Sequence, residues 1–146
     1  MIDPLVRRAE RSDADQLRWL ETAARTALLD QRGGQRWLAT HAERGPSWST
    51  VTESADVFVA LIDEVIVGYL VGSVHDDVLA IDEVFVHEQA RELGFGDELL
   101  AAAIASGRAA GLRLLEGEAL PGDRDTKNLF ERAGIKARLI TVSTEL

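Results

Sequence analysis

Residues 86–96 read Val86-His87-Glu88-Gln89-Ala90-Arg91-Glu92-Leu93-Gly94-Phe95-Gly96, and this stretch decides the fold. An apolar strand ends at Val86, a turn with R-x-x-G-x-G spacing follows, and the apolar residues after Gly96 recur at helical spacing. The first turn of a helix presents free backbone N–H groups and the positive end of the helix dipole, which together bind anions. Gly94 has no Cβ to block a phosphate, and Arg91 can add a guanidinium to the same anion. The stretch therefore predicts a phosphate-binding turn, although a plain tight turn would have the same glycines.

The better-known phosphate motifs do not fit these residues. A Walker motif needs Lys-Ser/Thr after its last glycine, and Asp97-Glu98 stand there. A dinucleotide-binding motif needs a third glycine, and Leu99 occupies that position. Because the residues after Gly96 are acidic, we expect the anion on the turn itself, around residues 91–96.

Length and composition narrow the class of protein. A chain of 146 residues, 46% apolar and 28% charged, predicts one globular domain over residues 1–146. It has no cysteine, which excludes disulfides, thiolate metal sites and a thiol nucleophile. No apolar run approaches the ~20 residues of a membrane span, and residues 1–4 have no signal-peptide pattern, so we expect a cytoplasmic protein.

The net charge indicates which partners to expect. A formal charge of −9 argues against nucleic acid and against an anionic membrane surface, and is compatible with a small cationic substrate such as an amine. The histidines His41, His75 and His87 have no ligand spacing, so no metal site is expected.

Periodicity and turn residues predict an α/β (α+β) chain with the order β-α-α-β-β-β-α-β-α-β. The expected helices cover residues 12–28, 35–43, 95–110 and 124–133. The expected strands cover residues 5–9, 57–62, 65–74, 78–86, 112–117 and 135–146, and residues 45–49 are expected to form a loop. An antiparallel meander then leads into a βαβ unit in a mixed central sheet with helices on both faces. Such a sheet places ligands beyond the ends of its strands, where the glycine turn lies.

This element order and two motifs resemble the GNAT superfamily of acetyl-CoA-dependent N-acyltransferases. Its central motif, Q/R-x-x-G-x-G/A after a strand, is matched by residues 91–96. The residues Val84-Phe85-Val86 resemble the end of the family's fourth strand. Near the C-terminus, residues 128–135 (NLFERAGI) resemble the family's aromatic-Glu-x-x-Gly-aromatic signature.

The resemblance implies a cosubstrate and its binding residues. Acetyl-CoA would place its pyrophosphate on Arg91, Glu92, Leu93, Gly94, Phe95 and Gly96. Its pantetheine arm would pair with Val84, Phe85 and Val86, with Asn128 or Thr126 as a further contact. The acyl carbonyl would then lie near the backbone N–H groups just after Val84. The implied reaction is direct attack by a primary amine in a ternary complex, with a small molecule favoured over a protein as acceptor.

Asp82 and Glu83 are the candidate general bases, because an amine of lysine type is protonated at neutral pH. Both stand in an apolar strand, where a carboxylate is expensive unless it is hydrogen-bonded or functional. Consecutive strand residues point to opposite faces, so we expect at most one of them to line the site. Glu83 is preferred, since the family often has a Glu here that acts directly or through a water. The alternative is that both are held structurally, by Arg7, Arg8 or Arg113.

The chain departs from the family pattern on its last helix. Many members have a Tyr there that protonates the leaving thiolate, and this chain has Phe130. Tyr69, the only tyrosine, lies in a strand and is not placed at the sulfur by the sequence. Asp123 replaces an Asn at the start of the same helix. In this family the acceptor site is built from the first two helices and their loop, here residues 28–37, in which Gly33-Gly34 forms a mobile gate or a plain connector. Trp48 is a candidate wall of the same pocket.

Three readings of function remain open at this level. The first is an N-acetyltransferase, the second a non-catalytic acyl-CoA-binding or regulatory module with the same fold, and the third a nucleotide-binding module. The last predicted strand is long and apolar enough to pair with another chain, which makes a homodimer a further expectation.

Overall fold

The computed structural model describes residues 5–146, so the segment 1–4 and its expected lack of a signal peptide lie outside the described residues. A five-stranded sheet in the order β1-β2-β3-β4-β5 forms the centre. Neighbouring strands run antiparallel from β1 to β4, and β5 runs parallel to β4. The strands are β1 (Leu5–Arg8), β2 (Asp56–Ile62), β3 (Val65–His75), β4 (Val78–Val86) and β5 (Leu114–Gly117).

Five α-helices connect or flank these strands. They are α1 (Ala14–Leu28), α2 (Gly34–Thr40), α3 (Trp48–Ser54), α4 (Phe95–Ala109) and α5 (Arg124–Arg132). Short 3-10 turns precede α1, α3 and the glycine turn, at Arg11–Asp13, Gly45–Ser47 and Glu88–Ala90. In the part of the chain from residue 5 onward, no helix is long and apolar enough to cross a membrane.

The sheet is covered on both faces, as the sequence predicts. Alternate residues of β2 point to opposite sides, so Val57 and Val59 pack with α1 and α3 while Phe58 and Ala60 pack with α4 and α5. The core between the sheet and α1 and α3 contains the fully buried Trp48. The core on the other face contains residues of α4 such as Leu99. The expected mixed α/β sheet with two helical layers is therefore confirmed.

A β-bulge in β4 changes the direction of its side chains. Across the β3–β4 ladder, Val71 pairs with Glu83 but Gly72 pairs with Ile81, which leaves Asp82 as the extra residue. The extra residue reverses the alternation, so that Ile81 packs in the core under α4 while Glu83 lies on the side of α1.

The ladder between β4 and β5 ends early. Its last pair is Ile81 with Gly117, and β4 continues to Val86. Among residues 5–146, nothing pairs with that side of β4 beyond Ile81, so the sheet opens between β4 and the chain that leaves β5. The opening lies at the carboxyl end of β4, next to the glycine turn.

Two of the expected elements differ from the structure. The expected strand 135–146 is absent, and these residues form neither helix nor strand. Their apolar alternation defines a possible face, but a strand also needs a neighbour for its ladder, and Leu139, Ile140 and Val142 instead lie exposed. The expected loop 45–49 contains the start of α3, whose Ser, Thr and Val content gives little helical signal. The observed order is therefore β-α-α-α-β-β-β-α-β-α.

Candidate active site

The turn between β4 and α4 has the backbone of an anion cradle. Glu92 has φ of 65° and Gly94 has φ of 88°, and α4 begins at Phe95. A left-handed residue at the N-cap strains any side chain other than glycine, which explains Gly94. Gly96 follows in the first turn of the helix and lines the cleft beside it.

Backbone donors of this turn are unpaired. Among residues 5–146, no atom accepts a hydrogen bond from any of the consecutive amides from Glu92 to Asp97. The first amides of a helix have no partner within the helix, so this run of free donors at the start of α4 fits an anionic ligand. The first acceptor in the helix is the carbonyl of Gly94, which receives the amide of Glu98.

The guanidinium of Arg91 has two partners, one on β4 and one on α5. Its Nε donates to the carbonyl of Val86 at 3.1 Å, and its Nη1 lies 3.3 Å from the Asp125 carboxylate on α5. A second ion pair also connects α5 with this region, from Arg132 on α5 to Asp97 in the first turn of α4 at 3.0 Å. Arg132 was missed by the sequence reasoning, because only the packing of α5 against the start of α4 brings it to the cleft.

One cavity of about 810 Å³ joins most of the predicted site residues. Its walls come from β4, the glycine turn, α5 and the inner side of α1. The predicted residues on it are Asp82, Glu83, Val84, Phe85, Val86, Arg91, Glu92, Gly94, Phe95, Gly96 and Asn128. Leu93 is the exception, because its side chain is exposed outside the cavity wall.

The open edge of β4 offers further backbone groups to the cavity. His87 donates to Val67 on β3, and successive residues of a strand direct their hydrogen-bonding groups to opposite sides. Val84 and Val86 therefore direct theirs to the side where β5 has ended. The carbonyl of Val86 receives Arg91, and the amides of both valines face the opening.

Glu83 is held by two donors from other elements. The Nη1 of Arg44 lies 2.6 Å from its Oε1, and the Tyr69 hydroxyl donates to its Oε2 at 2.7 Å. The predicted structural partners were wrong, because Arg7, Arg8 and Arg113 pair with Asp13, Asp56 and Asp77. Burial raises the pKa of Tyr69 well above its ordinary value, and the charge of Glu83 adds to this, so the phenol remains a donor.

Glu21 on α1 is a buried carboxylate that organises the same region. It accepts hydrogen bonds from the backbone amides of Arg44 and Gly45, from the Arg44 guanidinium and from the indole N–H of Trp48, all at 3.0–3.1 Å. Burial alone would lower the pKa of Arg44, but attraction to Glu83 and Glu21 outweighs it and the pKa is raised. Arg44 thus stays charged between two carboxylates.

Asp82 and Glu83 both line the cavity, so the expectation that only one could do so was wrong. The bulge at Asp82 breaks the alternation on which that expectation depended. Asp82 is exposed, and among residues 5–146 no side chain donates a hydrogen bond to it. The two carboxylates therefore differ: one is free at the mouth and the other is fixed inside.

On α5, Phe130 lies in the core, where its ring packs so closely on Gly117 that a Cβ there would stand 2.6 Å from the ring. Asp123 caps the helix by accepting from the amide and hydroxyl of Thr126 at 3.0 and 2.6 Å. Thr126 is thereby engaged, and the side chain of Asn128 remains exposed at the cavity.

The acceptor side differs from expectation at two places. Trp48 is fully buried against Tyr69 and does not line a pocket, so that prediction was wrong, and Trp37 on α2 lies at the cavity instead. The connector with Gly33-Gly34 is packed rather than open. A Cβ added to Gly33 would stand 3.2 Å from the Pro121 ring, and the amide of Gly122 donates to the carbonyl of Arg32.

Comparison with known proteins identifies the class. The model of the Acetyltransferase (GNAT) family matches residues 14–135, and the chain therefore belongs to this family. A search of curated proteins finds no match.

Solved structures with similar folds include a ribosomal-protein-alanine N-acetyltransferase from Brucella melitensis biovar Abortus 2308, with TM-score 0.77 and 14% identity over 99% of this chain and 100% of that one. Another is AAC(6')-Iy in complex with a bisubstrate analogue of coenzyme A, with TM-score 0.70 and 16% identity over 99% and 100%. A third is an aminoglycoside acetyltransferase from an uncultured soil metagenomic sample in complex with sisomicin, with TM-score 0.71 and 15% identity over 98% and 96%.

The acyl donor of this family is acetyl-CoA. The residues present fit it, because the unpaired amides from Glu92 to Asp97 suit a pyrophosphate and the open edge of β4 suits the amides of pantetheine.

Proposed function

We propose that this protein is an N-acetyltransferase that transfers the acetyl group of acetyl-CoA to a primary amine by direct attack in a ternary complex. The observation that carries the proposal is one cavity that joins a cradle of free backbone amides, an open strand edge and a fixed carboxylate. The cosubstrate supplies an activated acetyl thioester, and the chain supplies binding, orientation and a base.

Each part of the cavity has a role in this proposal. Arg91, Glu92, Leu93, Gly94, Phe95 and Gly96 hold the pyrophosphate, while Val84, Phe85, Val86 and Asn128 hold the pantetheine arm. The amides of Val84 and Val86 also lie where donors could stabilise negative charge on the acyl oxygen. Asn128 is favoured over Thr126 because the Thr126 hydroxyl is already bonded to Asp123.

Glu83 is the proposed general base, acting directly or through a water. Each carboxylate oxygen can accept two hydrogen bonds, so one contact each from Arg44 and Tyr69 leaves acceptor capacity towards the cavity. Asp82, exposed at the mouth, is the second candidate. Phe130 cannot donate a proton and Tyr69 is fully buried, so water in the open cleft protonates the leaving thiolate.

The acceptor is proposed to be a small cationic amine rather than a protein. Outside the glycine turn and its two ion pairs with α5, the charged residues that line the cavity are all acidic: Asp82, Glu83, Glu88, Glu118 and Asp123. Two neighbouring structures carry aminoglycosides or their conjugates, which are amines of this kind. A negative cleft attracts such a cation and raises its local concentration.

Calorimetric titration with acetyl-CoA tests the proposal. The double variant Arg91→Ala, Gly94→Glu should lose the micromolar binding expected of the wild type. The matched control is the double variant Arg113→Ala, Gly111→Glu. It likewise removes an exposed Arg and replaces a glycine of positive φ, here 74°, and an added Cβ at Gly111 has no neighbour within 4 Å. Binding lost in the first variant and kept in the control supports the site, while no binding to the wild type would overturn the proposal.

A non-catalytic acyl-CoA-binding module is the alternative. It is favoured by Phe130 in place of a proton donor and by the engagement of both Glu83 oxygens. A panel of amines with detection of the released thiol separates the two, because the module would bind acetyl-CoA without turnover. Competition between ATP and coenzyme A tests the weaker nucleotide-binding alternative.

We also propose a homodimer in the cytoplasm, formed through the C-terminal segment. Leu139, Ile140 and Val142 are largely exposed, and among residues 5–146 the outer edge of β5 has no ladder partner. An apolar alternating segment can complete such an edge in a second copy. Light scattering should show a dimer that Ile140→Asp converts to a monomer, and a monomeric wild type would contradict it.

A further inference from the structure

Arg44 stands out as a buried cation that neither motif nor periodicity indicates. It follows α2 in the chain and precedes the Gly45–Ser47 turn, far in sequence from both carboxylates that it contacts. Its Nη1 bridges Glu21 on α1 at 3.0 Å and Glu83 on β4 at 2.6 Å. One guanidinium therefore connects α1, which forms one wall of the cavity through other residues, with the proposed base.

The position of this guanidinium is fixed from several directions. The backbone amide of Arg44 donates to both oxygens of Glu21, at 3.0 Å each, which anchors the start of the side chain. Its guanidinium carbon lies 5.0 Å from the centre of the Trp48 ring, and the Trp48 indole is itself bonded to Glu21. Long side chains normally lose entropy when an ion pair holds them, but here the surrounding contacts already define the rotamer.

Glu83 in turn has little freedom of its own. Arg44 holds one oxygen and Tyr69 holds the other, and these donors come from different elements, so the carboxylate plane is set by both. The side chain is 11% exposed, and that exposure is towards the cavity. Loss of either donor would free rotation about the side-chain torsions of Glu83.

We propose that Arg44 is a positioning residue that holds Glu83 in its reactive orientation, with Glu21 as the anchor that fixes Arg44. The inference rests on the proposed function, because it assigns a partner to the proposed base. The same arrangement puts two carboxylates on one cation, which leaves the cluster with an excess negative charge next to the acceptor side. That charge favours a cationic amine over a neutral or acidic acceptor.

The chain provides a matched control for this cluster. Arg7 and Asp13 form a separate ion pair, which is bidentate at 2.7 and 3.0 Å, and its carboxylate is also buried and lies directly before α1. This pair lies outside the cavity lining. The control variant Arg7→Met should lower stability without changing kcat, whereas a variant of Arg44 should change the chemical step.

The experiment is a double-mutant cycle on turnover. Arg44→Met and Glu21→Gln should each lower kcat by about 10²-fold while the KM and Kd for acetyl-CoA change less than about twofold, as expected for a displaced catalytic group. Arg44→Lys, which keeps one cation, should recover part of kcat and serves if Arg44→Met does not fold. In the Glu83→Gln background, Arg44→Met should cause no further loss, because Arg44 acts through Glu83.

The outcomes distinguish the two proposals. Equal fractional losses in the wild-type and Glu83→Gln backgrounds, or a kcat for Arg44→Met that matches the Arg7→Met control, would overturn the positioning role alone. A wild type that binds acetyl-CoA but turns over no amine would overturn the proposed function and this role with it.

Discussion

The two sides of the cleft hold their charges in different ways. On the α1 side, Glu21, Arg44 and Glu83 form a connected cluster with carboxylate exposures of 3% and 11%. On the α5 side, Arg91 and Arg132 make ion pairs with Asp125 and Asp97 in which exposures range from 40% to 73%. The first cluster is shielded from water and the second lies in it.

This difference separates the chemical role of one side from the binding role of the other. A carboxylate that is mostly shielded from water and is held by two donors keeps one orientation, as a base near a reacting amine requires. Exposed ion pairs contribute only about 0–1 kcal/mol each, so a phosphate can replace Asp125 or Asp97 on its arginine at little expense. The α1 side is therefore preorganised, while the α5 side can rearrange when acetyl-CoA binds.

The largest effect on kcat is expected from replacing Glu83, the proposed base on the α1 side. Glu83→Gln keeps the size of the side chain but removes its basicity, so kcat should fall roughly 10²- to 10⁴-fold. The Kd for acetyl-CoA should not change. Steady-state kinetics beside Asp82→Asn decide the assignment, and a larger loss in the Asp82 variant would move the base to the mouth of the cavity.

A smaller effect is expected in the glycine turn. Gly94→Ala forces a Cβ into left-handed backbone at φ of 88°, and strain of about 1–2 kcal/mol should weaken acetyl-CoA binding about tenfold. Gly96→Ala is the control, because its Cβ would meet Leu129 at an ordinary 3.6 Å. Calorimetry that gives equal losses for both would show that the backbone of Gly94 does not matter.

The ion pair between Arg7 and Asp13 lies outside the cleft, so its variants test whether a buried carboxylate away from the cavity affects stability alone. Burial opposes ionisation of Asp13, but hydrogen bonds from Arg7 and the amide of Glu10 outweigh it and lower the pKa of Asp13. Its stabilisation is therefore present above the ordinary pKa near 3.8 and is lost as pH falls through the lower folded value.

Asp13→Asn should accordingly lower the free energy of unfolding by about 1 kcal/mol at pH 7. Urea unfolding should show the difference from wild type shrinking below about pH 4, while kcat of the folded variant stays unchanged. A gap that persists at low pH would mean that the charge of Asp13 contributes nothing.

The smallest effect is expected on acetyl-CoA affinity, from variants of the exposed ion pairs on the α5 side. Asp125→Asn and Asp97→Asn each free an arginine for the phosphates, so acetyl-CoA should bind about two- to fivefold more tightly, and less so at high salt. Titrations at low and high ionic strength measure this. Weaker binding in these variants would mean that the ion pairs hold the cleft in its binding shape.

The sequence predicts the parts of the site that depend on local structure. β4, the turn and α4 are consecutive, so their geometry follows from the spacing of Arg91, Gly94 and Gly96. The partners of Glu83 come from residues 44 and 69, and only tertiary packing brings them together. The bulge at Asp82 likewise depends on the register with β3.

The same distinction explains the errors in the fold. Residues 135–146 alternate like a strand, but pairing depends on a neighbour that the segment itself does not encode. The helix α3 forms because Trp48 packs in the core and bonds to Glu21, which outweighs its weak helical propensity.

Acetyl-CoA affinity in three proteins tests most directly the claim that one side binds and the other reacts. They are the wild type, Glu83→Gln and the double variant Arg91→Ala, Gly94→Glu, each titrated by calorimetry. We expect equal micromolar binding to the first two proteins and none to the third. Binding retained by the double variant, or lost in Glu83→Gln, would contradict it.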